Sequence, residues 1–213
     1  MGICSSDRSL NPRFLPFREQ DYKLDYSVYH PYPATKNYRM VKQVGSDGYS
    51  TMWEAERLDN PNVKRLIKVL KKDGISKEKI EAFKKEFSIL KTIRHTNVAT
   101  FREFYEDNVH FFVVTDISEG SNLIEMLSND TMGEFGEEDV LNIMQQILTA
   151  LDYCHNKKVV HKDFNFENII VSKNSGIRHS KGVTVIDFGI SLKNIPNRYF
   201  LSPETVETNE LSF

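Results

Sequence analysis

The chain has 213 residues, of which 39% are hydrophobic and 27% charged, and its formal net charge is −2. That composition fits a soluble globular protein of one large domain or two small ones, and the near balance of charge gives no general pull toward nucleic acid. No apolar run is long enough to cross a bilayer, no secretory leader is visible, and two cysteines, Cys4 and Cys154, supply neither a disulfide framework nor a metal cluster, so a cytoplasmic setting is expected.

Residues 1–36 read as an irregular arm, because Pro12, Pro16, Pro31 and Pro33 interrupt any helical or strand period. The arm opens on Met1-Gly2-Ile3-Cys4-Ser5-Ser6, which fits the M-G-x-x-x-[ST] pattern of N-myristoylation at Gly2. One myristoyl chain binds a membrane only marginally, and Cys4 is placed to take a second, palmitoyl chain that would make the anchoring stable. Arg8, Arg13 and Arg18 would add weak attraction to anionic lipid. The bland alternative is a chance glycine at the head of a loose arm.

The texture changes at Tyr38. Tyr38–Val44 alternates as a strand, Gly45–Gly48 is a turn, and Thr51–Arg57 is the returning strand. Arg65–Leu70 is a short apolar run holding one lysine, Lys68. Across Lys77–Arg94 the residues Ile80, Phe83, Phe87 and Leu90 recur at helical spacing, with lysines on the other face. Phe101–Tyr105 and His110–Thr115 complete five strands around one helix. Glu137–His155 is a second amphipathic helix, with a stripe of Val140, Ile143, Met144, Ile147, Leu148 and Leu151 and with Glu137, Glu138 and Asp139 in the favourable first turn. Two short apolar runs follow, Ile169–Val171 and Val183–Ile186.

Polar residues stand at the ends of these elements in a telling order. Asp187-Phe188-Gly189 follows the last apolar run, where an aspartate can hold magnesium against nucleotide phosphates. Upstream lies His161-Lys162-Asp163-Phe164-Asn165-Phe166-Glu167-Asn168. There Asp163 would accept a hydroxyl proton and Asn168 would ligate a second magnesium. Lys68 would contact the α- and β-phosphates, and Glu86 would pair with it. Gly45-Ser46-Asp47-Gly48-Tyr49-Ser50 would lie over the phosphates. Each motif alone has an ordinary reading: a strand-end turn, a polar loop, a snorkelling lysine, a solvated helix glutamate, a hairpin. These roles are the ones that resemblance to the protein-kinase signature set implies for such positions, and five matches in this order make coincidence improbable.

With those motifs in place, the stretch from Tyr38 to Glu204 resembles the eukaryotic protein kinases of the serine/threonine type. Two subfamilies are echoed. Ala150-Leu151-Asp152-Tyr153-Cys154-His155 and Arg198-Tyr199-Phe200 are similar to casein kinase II catalytic subunits, whereas Phe101–Thr115 and Val183–Ser191 are similar to calcium-dependent protein kinases. The resemblance implies an α+β fold: a five-stranded antiparallel upper lobe with one helix over residues 37–116, and a partial, mainly helical lower lobe over residues 117–213. It also implies ATP and Mg2+ as cofactors and a protein hydroxyl as substrate. Carried over with it are Val44 and Met52 above the adenine, Leu66 crowding the pocket, Thr115 at its back, and Asp116–Ser118 as the hinge.

The departures from that pattern carry expectations of their own. Asp47 replaces a glycine and sets a carboxylate facing phosphate, and Lys162 replaces arginine. Asn165 replaces the lysine aimed at the transferred phosphate, a type of loss worth about 2.7–4 kcal/mol of barrier. The segment from Asp187 to Ser202-Pro203-Glu204 is short, with Ser191, Ser202 and Thr205 as candidate phosphosites. The chain closes at Phe213, nine residues after Glu204, before the helices that pack the family's lower lobe, so the second helix is expected to show an apolar face that a partner protein could cover. The reading is therefore a protein kinase, with a nucleotide-binding scaffold of little turnover as the alternative.

Overall fold

A computed structural model describes residues 29–47, 50–128, 136–172 and 182–188. The lipidation candidates Gly2 and Cys4, the loop residue Gly48, and the segment from Gly189 onward, including its candidate phosphosites, lie outside the described residues. Strands β1 (Tyr29–His30), β2 (Tyr38–Ser46), β3 (Ser50–Arg57), β4 (Lys64–Lys71), β5 (Phe101–Glu106) and β6 (His110–Thr115) form one sheet in the order β1-β5-β6-β4-β3-β2. Five strands pair antiparallel, as expected. The sixth, β1, joins the edge in parallel, with Tyr29 opposite Phe104 and His30 opposite Tyr105.

That sixth strand revises the reading of the arm. The sheet's outer face carries Ala55, Ile67, Phe112 and Val114, all buried, and the arm's Tyr32 and Ala34 pack against them. Tyr38 and Tyr105 seal the same cluster through hydrogen bonds to Glu103 at 2.7 and 2.8 Å. Burial, reinforced by the Glu103 carboxylate, pushes both phenols up. A two-residue strand has no period to detect, so only its pairing partner reveals it.

The inner face of the sheet is covered by α1 (Lys77–Leu90). Ser76 caps this helix by accepting from the Lys79 N–H. Phe83, Phe87 and Leu90 pack onto Phe101, Phe104 and Phe111, and the Phe87 and Phe104 rings stack with centroids 3.9 Å apart. The helix ends at Leu90, short of the expected Arg94, where the Thr92 and Ile93 N–H groups close tighter turns onto the Ile89 and Leu90 carbonyls. A charge hub adds a second tie to the sheet: Glu106 accepts from Lys72 at 2.6 Å and from Lys84 of α1 at 2.9 Å, and from the Tyr29 hydroxyl.

Beyond Thr115 a three-stranded sheet, β7 (Ser121–Asn122), β8 (Ile169–Val171) and β9 (Val183–Val185), packs with α2 (Leu123–Ser128) and α3 (Glu137–Asn156). Asp139 reaches back to the Gly136 N–H at 3.1 Å and fastens the first turn of α3. The expected stripe on α3 divides. Ile143 and Ile147 are buried and Leu151 partly so, with Ala150 and Cys154 buried beside them, whereas Val140, Met144 and Leu148 are exposed, as is Leu141. Burial pushes the Cys154 thiol up to about 12. Among the described residues, no helix is long and apolar enough to cross a membrane.

Gly120 joins the two sheets. Its φ is +143°, and a Cβ there would stand 2.3 Å from the Val171 carbonyl oxygen. Only glycine lets the chain leaving β6 pass this close to β8.

Candidate active site

Strand register builds the upper wall. Gly45 lies opposite Met52, Met52 opposite Lys68, and Leu66 opposite Thr115. Lys68 and Leu66 are two apart on β4, so all five residues share one face of the sheet. Val44 sits at the register shift between Gln43 and Gly45, and is 42% exposed. Met52, Leu66 and Thr115, three of the residues expected around an adenine, thus share a face by ordinary alternation, whereas Val44 falls outside that register. At the loop, Asp47 does not point its charge freely at this wall. Its Oδ1 accepts from the Ser50 N–H at 2.7 Å, and its own N–H donates to the Ser50 carbonyl.

The hinge residue Asp116 serves a structural purpose that the motif did not foretell. Arg102 donates to both its carboxylate oxygens, at 2.9 and 2.5 Å, and Arg65 lies 3.3 Å away. Its N–H is spent on the Thr100 carbonyl, so its carbonyl is the backbone group left to meet a base edge. The exposed pair Arg102–Asp116 gives no sequence signal, since a cross-strand partner is set by register alone. Behind Thr115 a small pocket runs between Leu90, Ile93, Val98 and Phe101 to Asp187 and Phe188.

The lower wall is the loop from His161 to Asn168. His161 is 2% exposed and packs its ring on Phe188. Burial, the largest influence on this imidazole, pushes its pKa down, so the ring is neutral. Its Nε2 then donates to the Ile186 carbonyl at 2.8 Å, and Nδ1 accepts from the Asp163 N–H at 3.3 Å. Asn168 donates through Nδ2 to the Asp163 carbonyl at 2.8 Å, and the Ile186 N–H donates to the Asn168 carbonyl. One histidine and one asparagine therefore lock Asp163 to the strand end that carries Asp187. Lys162 and Asp187 both take left-handed backbone conformations, with φ of 69° and 62°. Such strain in non-glycine residues gathers where side chains are aimed for chemistry.

The two walls meet through ion pairs. Lys68 Nζ stands 2.9 Å from Asp187 Oδ2, and both side chains are largely buried. The pairing expected between Lys68 and Glu86 is not what the structure shows. Glu86 pairs with Lys162 Nζ at 2.5 Å. Two cations and two carboxylates occupy this space, and α1 is held by Phe87 and Lys84 so that Glu86 faces the lower loop. Burial pushes the Glu86 carboxyl up, and the Lys162 ammonium opposes that shift. The lysine at 162 thus does not simply forfeit an anion contact; it has one within the chain.

Magnesium fits the donors present. It takes hard oxygen ligands and is usually held by one or two carboxylates plus phosphate oxygens and water. Asp187 supplies a carboxylate. The Asn168 amide, with Nδ2 committed to Asp163, has its oxygen left for a cation. Among the described residues, no group of three or more His, Cys, Asp or Glu side chains could hold a metal unaided, and a phosphate-borne ion requires none.

A lysine held between a sheet and an aspartate, below it an aspartate-bearing loop locked by a buried histidine, and a connecting hinge are the marks of a phosphotransfer fold that works on a nucleoside triphosphate. Comparison with known proteins agrees. The family model for the protein kinase domain matches residues 38–212, and this chain belongs to that family. Its relatives include calcium-dependent protein kinase 5 of Plasmodium falciparum (isolate 3D7), 32% identical over 149 residues, 66% of this chain and 25% of that protein. Calcium/calmodulin-dependent protein kinase type 1 of Macrobrachium nipponense is 29% identical over 75% of this chain and 45% of its own length. The chain thus spans a quarter to under half of these relatives. A crystal structure of Rad53 residues 1–466 in complex with AMP-PNP has the same fold, with a TM-score of 0.67 and 22% identity, covering 81% of this chain and 43% of that one.

Proposed function

We propose that the chain is an ATP- and Mg2+-dependent serine/threonine protein kinase that transfers a γ-phosphate to a protein hydroxyl. The observation that carries this reading is the convergence of Lys68 from β4, Asp163 and Asn168 from one loop, and Asp187 from the end of β9 on the space between the two sheets. Lys68 would bind the α- and β-phosphates. Asn168 and Asp187 would hold Mg2+, which when bound neutralises the charge developing on the transferred group. Val44, Met52 and Leu66 would enclose the adenine, with Gly45 in the loop over the phosphates, Thr115 at the back and the backbone of Asp116 to Ser118 along the adenine edge. Asp163 would receive the proton of the substrate hydroxyl. Similarity to serine/threonine-protein kinase 36 of Pongo abelii, 28% identical over 81% of this chain and 13% of that protein, favours this choice of acceptor.

The test is transfer of radiolabelled phosphate from ATP to a mixed protein substrate by the 213-residue chain beside Asp163→Ala. Magnesium-dependent counts in the wild type, lost in the variant, are expected. Equal background from both would overturn the reading. A scaffold with little turnover is the second reading, favoured by Glu86 being engaged by Lys162 and not by Lys68. It would bind ATP, seen as a raised Tm, without transfer.

The N-terminal pattern supports a further part of the proposal: acylation at Gly2 and Cys4 holding the kinase at a membrane surface. Mass spectrometry of the N-terminal peptide from a eukaryotic host should show myristate. A free glycine or retained methionine there would end that part. The exposed Val140, Leu141, Met144 and Leu148 on α3 support a further protein surface packing against that helix.

A further inference from the structure

Asn165 occupies the position at which the family pattern places a lysine directed at the transferred phosphate. The structure gives this side chain other work. It is 6% exposed and sits between Asp163 and Asn168. Its Oδ1 accepts from two backbone N–H groups, those of Glu167 at 2.8 Å and Asn168 at 3.2 Å. Its Nδ2 donates to the Asp163 carbonyl at 3.1 Å and to Asp163 Oδ1 at 3.3 Å. The reverse orientation of the amide would set NH2 against two N–H groups and oxygen against two oxygens, so the orientation is fixed by its neighbours.

We infer that Asn165 is a positioning residue for Asp163: it takes one carboxylate oxygen and turns the other, Oδ2, toward the incoming hydroxyl. This inference rests on the kinase reading of Asp163. The same amide caps the single helical turn Phe166–Asn168 that carries the metal-binding amide. Proton acceptor and metal ligand are thereby set from one side chain. In the pattern with lysine, a flexible cation reaches outward to phosphate. Here a short, buried amide has all of its hydrogen-bonding capacity turned inward and none for the nucleotide. The loss of a phosphate contact is accompanied by a rigid loop, and rigid placement of a reacting group to within an ångström is worth up to about 100-fold in rate.

Three substitutions separate this role from a purely structural one. Asn165→Asp keeps the oxygen that caps the turn but removes the donor to Asp163. It should melt within about 4 °C of wild type, yet lower kcat by about 10- to 100-fold with KM for ATP changed less than about two-fold. Asn165→Ala should lower both Tm and kcat. Asn165→Lys, which restores the family residue, should be no faster than Asn165→Ala, because the lysine can neither cap the turn nor hold Oδ1. Wild-type kcat in Asn165→Asp, or a rate in Asn165→Lys equal to or above wild type, would overturn the inference. Should the wild-type chain transfer no phosphate beyond Asp163→Ala, the kinase reading falls, and the positioning contact is then decided by NMR. In 15N-labelled wild-type chain the two Asn165 side-chain amide protons should both be protected from exchange. In Asp163→Ala one should lose protection while the other, on the backbone carbonyl, keeps it. Identical protection of both protons in the two proteins would overturn the contact itself.

Discussion

The exchange of partners at Glu86 can be measured. The Glu86–Lys162 pair has an N–O distance of 2.5 Å and side chains 19% and 28% exposed. Fully exposed pairs contribute about 0.2–1 kcal/mol, and breaking a fully buried one costs about 3–5 kcal/mol. This pair lies between, so a double-mutant cycle of Glu86→Gln and Lys162→Met should give a coupling of about 1–2 kcal/mol. The assay is urea unfolding followed by circular dichroism, with free energies from linear extrapolation and with unchanged slopes as the control for two-state behaviour. The parallel cycle of Glu86→Gln with Lys68→Met should give less than about 0.5 kcal/mol. The pH dependence follows from the same contacts. Burial raises the Glu86 carboxyl and Lys162 opposes it, so Lys162→Met leaves the group further above its unfolded value. Between the unfolded and folded values the native state then binds more protons, and stability falls as pH rises. The deficit of Lys162→Met relative to wild type should therefore be smaller at pH 5 than at pH 7.5. A Glu86–Lys162 coupling below about 0.3 kcal/mol, or a larger one between Glu86 and Lys68, would refute the pairing.

Two other outcomes follow from single positions. Gly120→Ala combines a positive φ with a Cβ driven against the Val171 carbonyl, and backbone strain plus overpacking should cost about 3 kcal/mol or more, a fall of roughly 6–12 °C in Tm; a shift under about 2 °C would contradict that geometry. His161 is held neutral by burial, below its ordinary value. The unfolded chain thus binds the extra proton first on acidification, and stability is lost as pH falls below about 6.5. His161→Gln keeps a donor for Ile186 without titrating, so its Tm should drop less than wild type between pH 7.5 and 5.5; parallel curves would show that His161 does not contribute.

The elements with repeated periods were legible in the chain itself. α1 and α3 announce themselves through apolar residues at spacings of three and four, and β2 to β6 through alternation and turn residues. The motif order Lys68, Glu86, Asp163, Asn168, Asp187 was equally readable, because catalytic loops are local and carry their spacing with them. What could not be read were partners chosen across space. β1 and β7 are two residues each, too short for any period, and exist only because β5 and β8 offer free edges. Whether Val140 or Ile143 lies inward on α3 depends on which side the three-stranded sheet approaches.

The same division runs through the site. The linear order of residues determined that an amine, carboxylates and amides suited to a nucleotide and its metal would be present, since those groups are fixed by covalent chemistry and by short loops. Tertiary structure decided which of them touch. Glu86 met Lys162 and not Lys68 because the rotation of α1 is set by Phe87 on Phe104 and by Lys84 on Glu106. Charge pairing and hydrogen bonding act over a few ångströms, and only the packed fold brings residues separated by 76 positions, as Glu86 and Lys162 are, within that range.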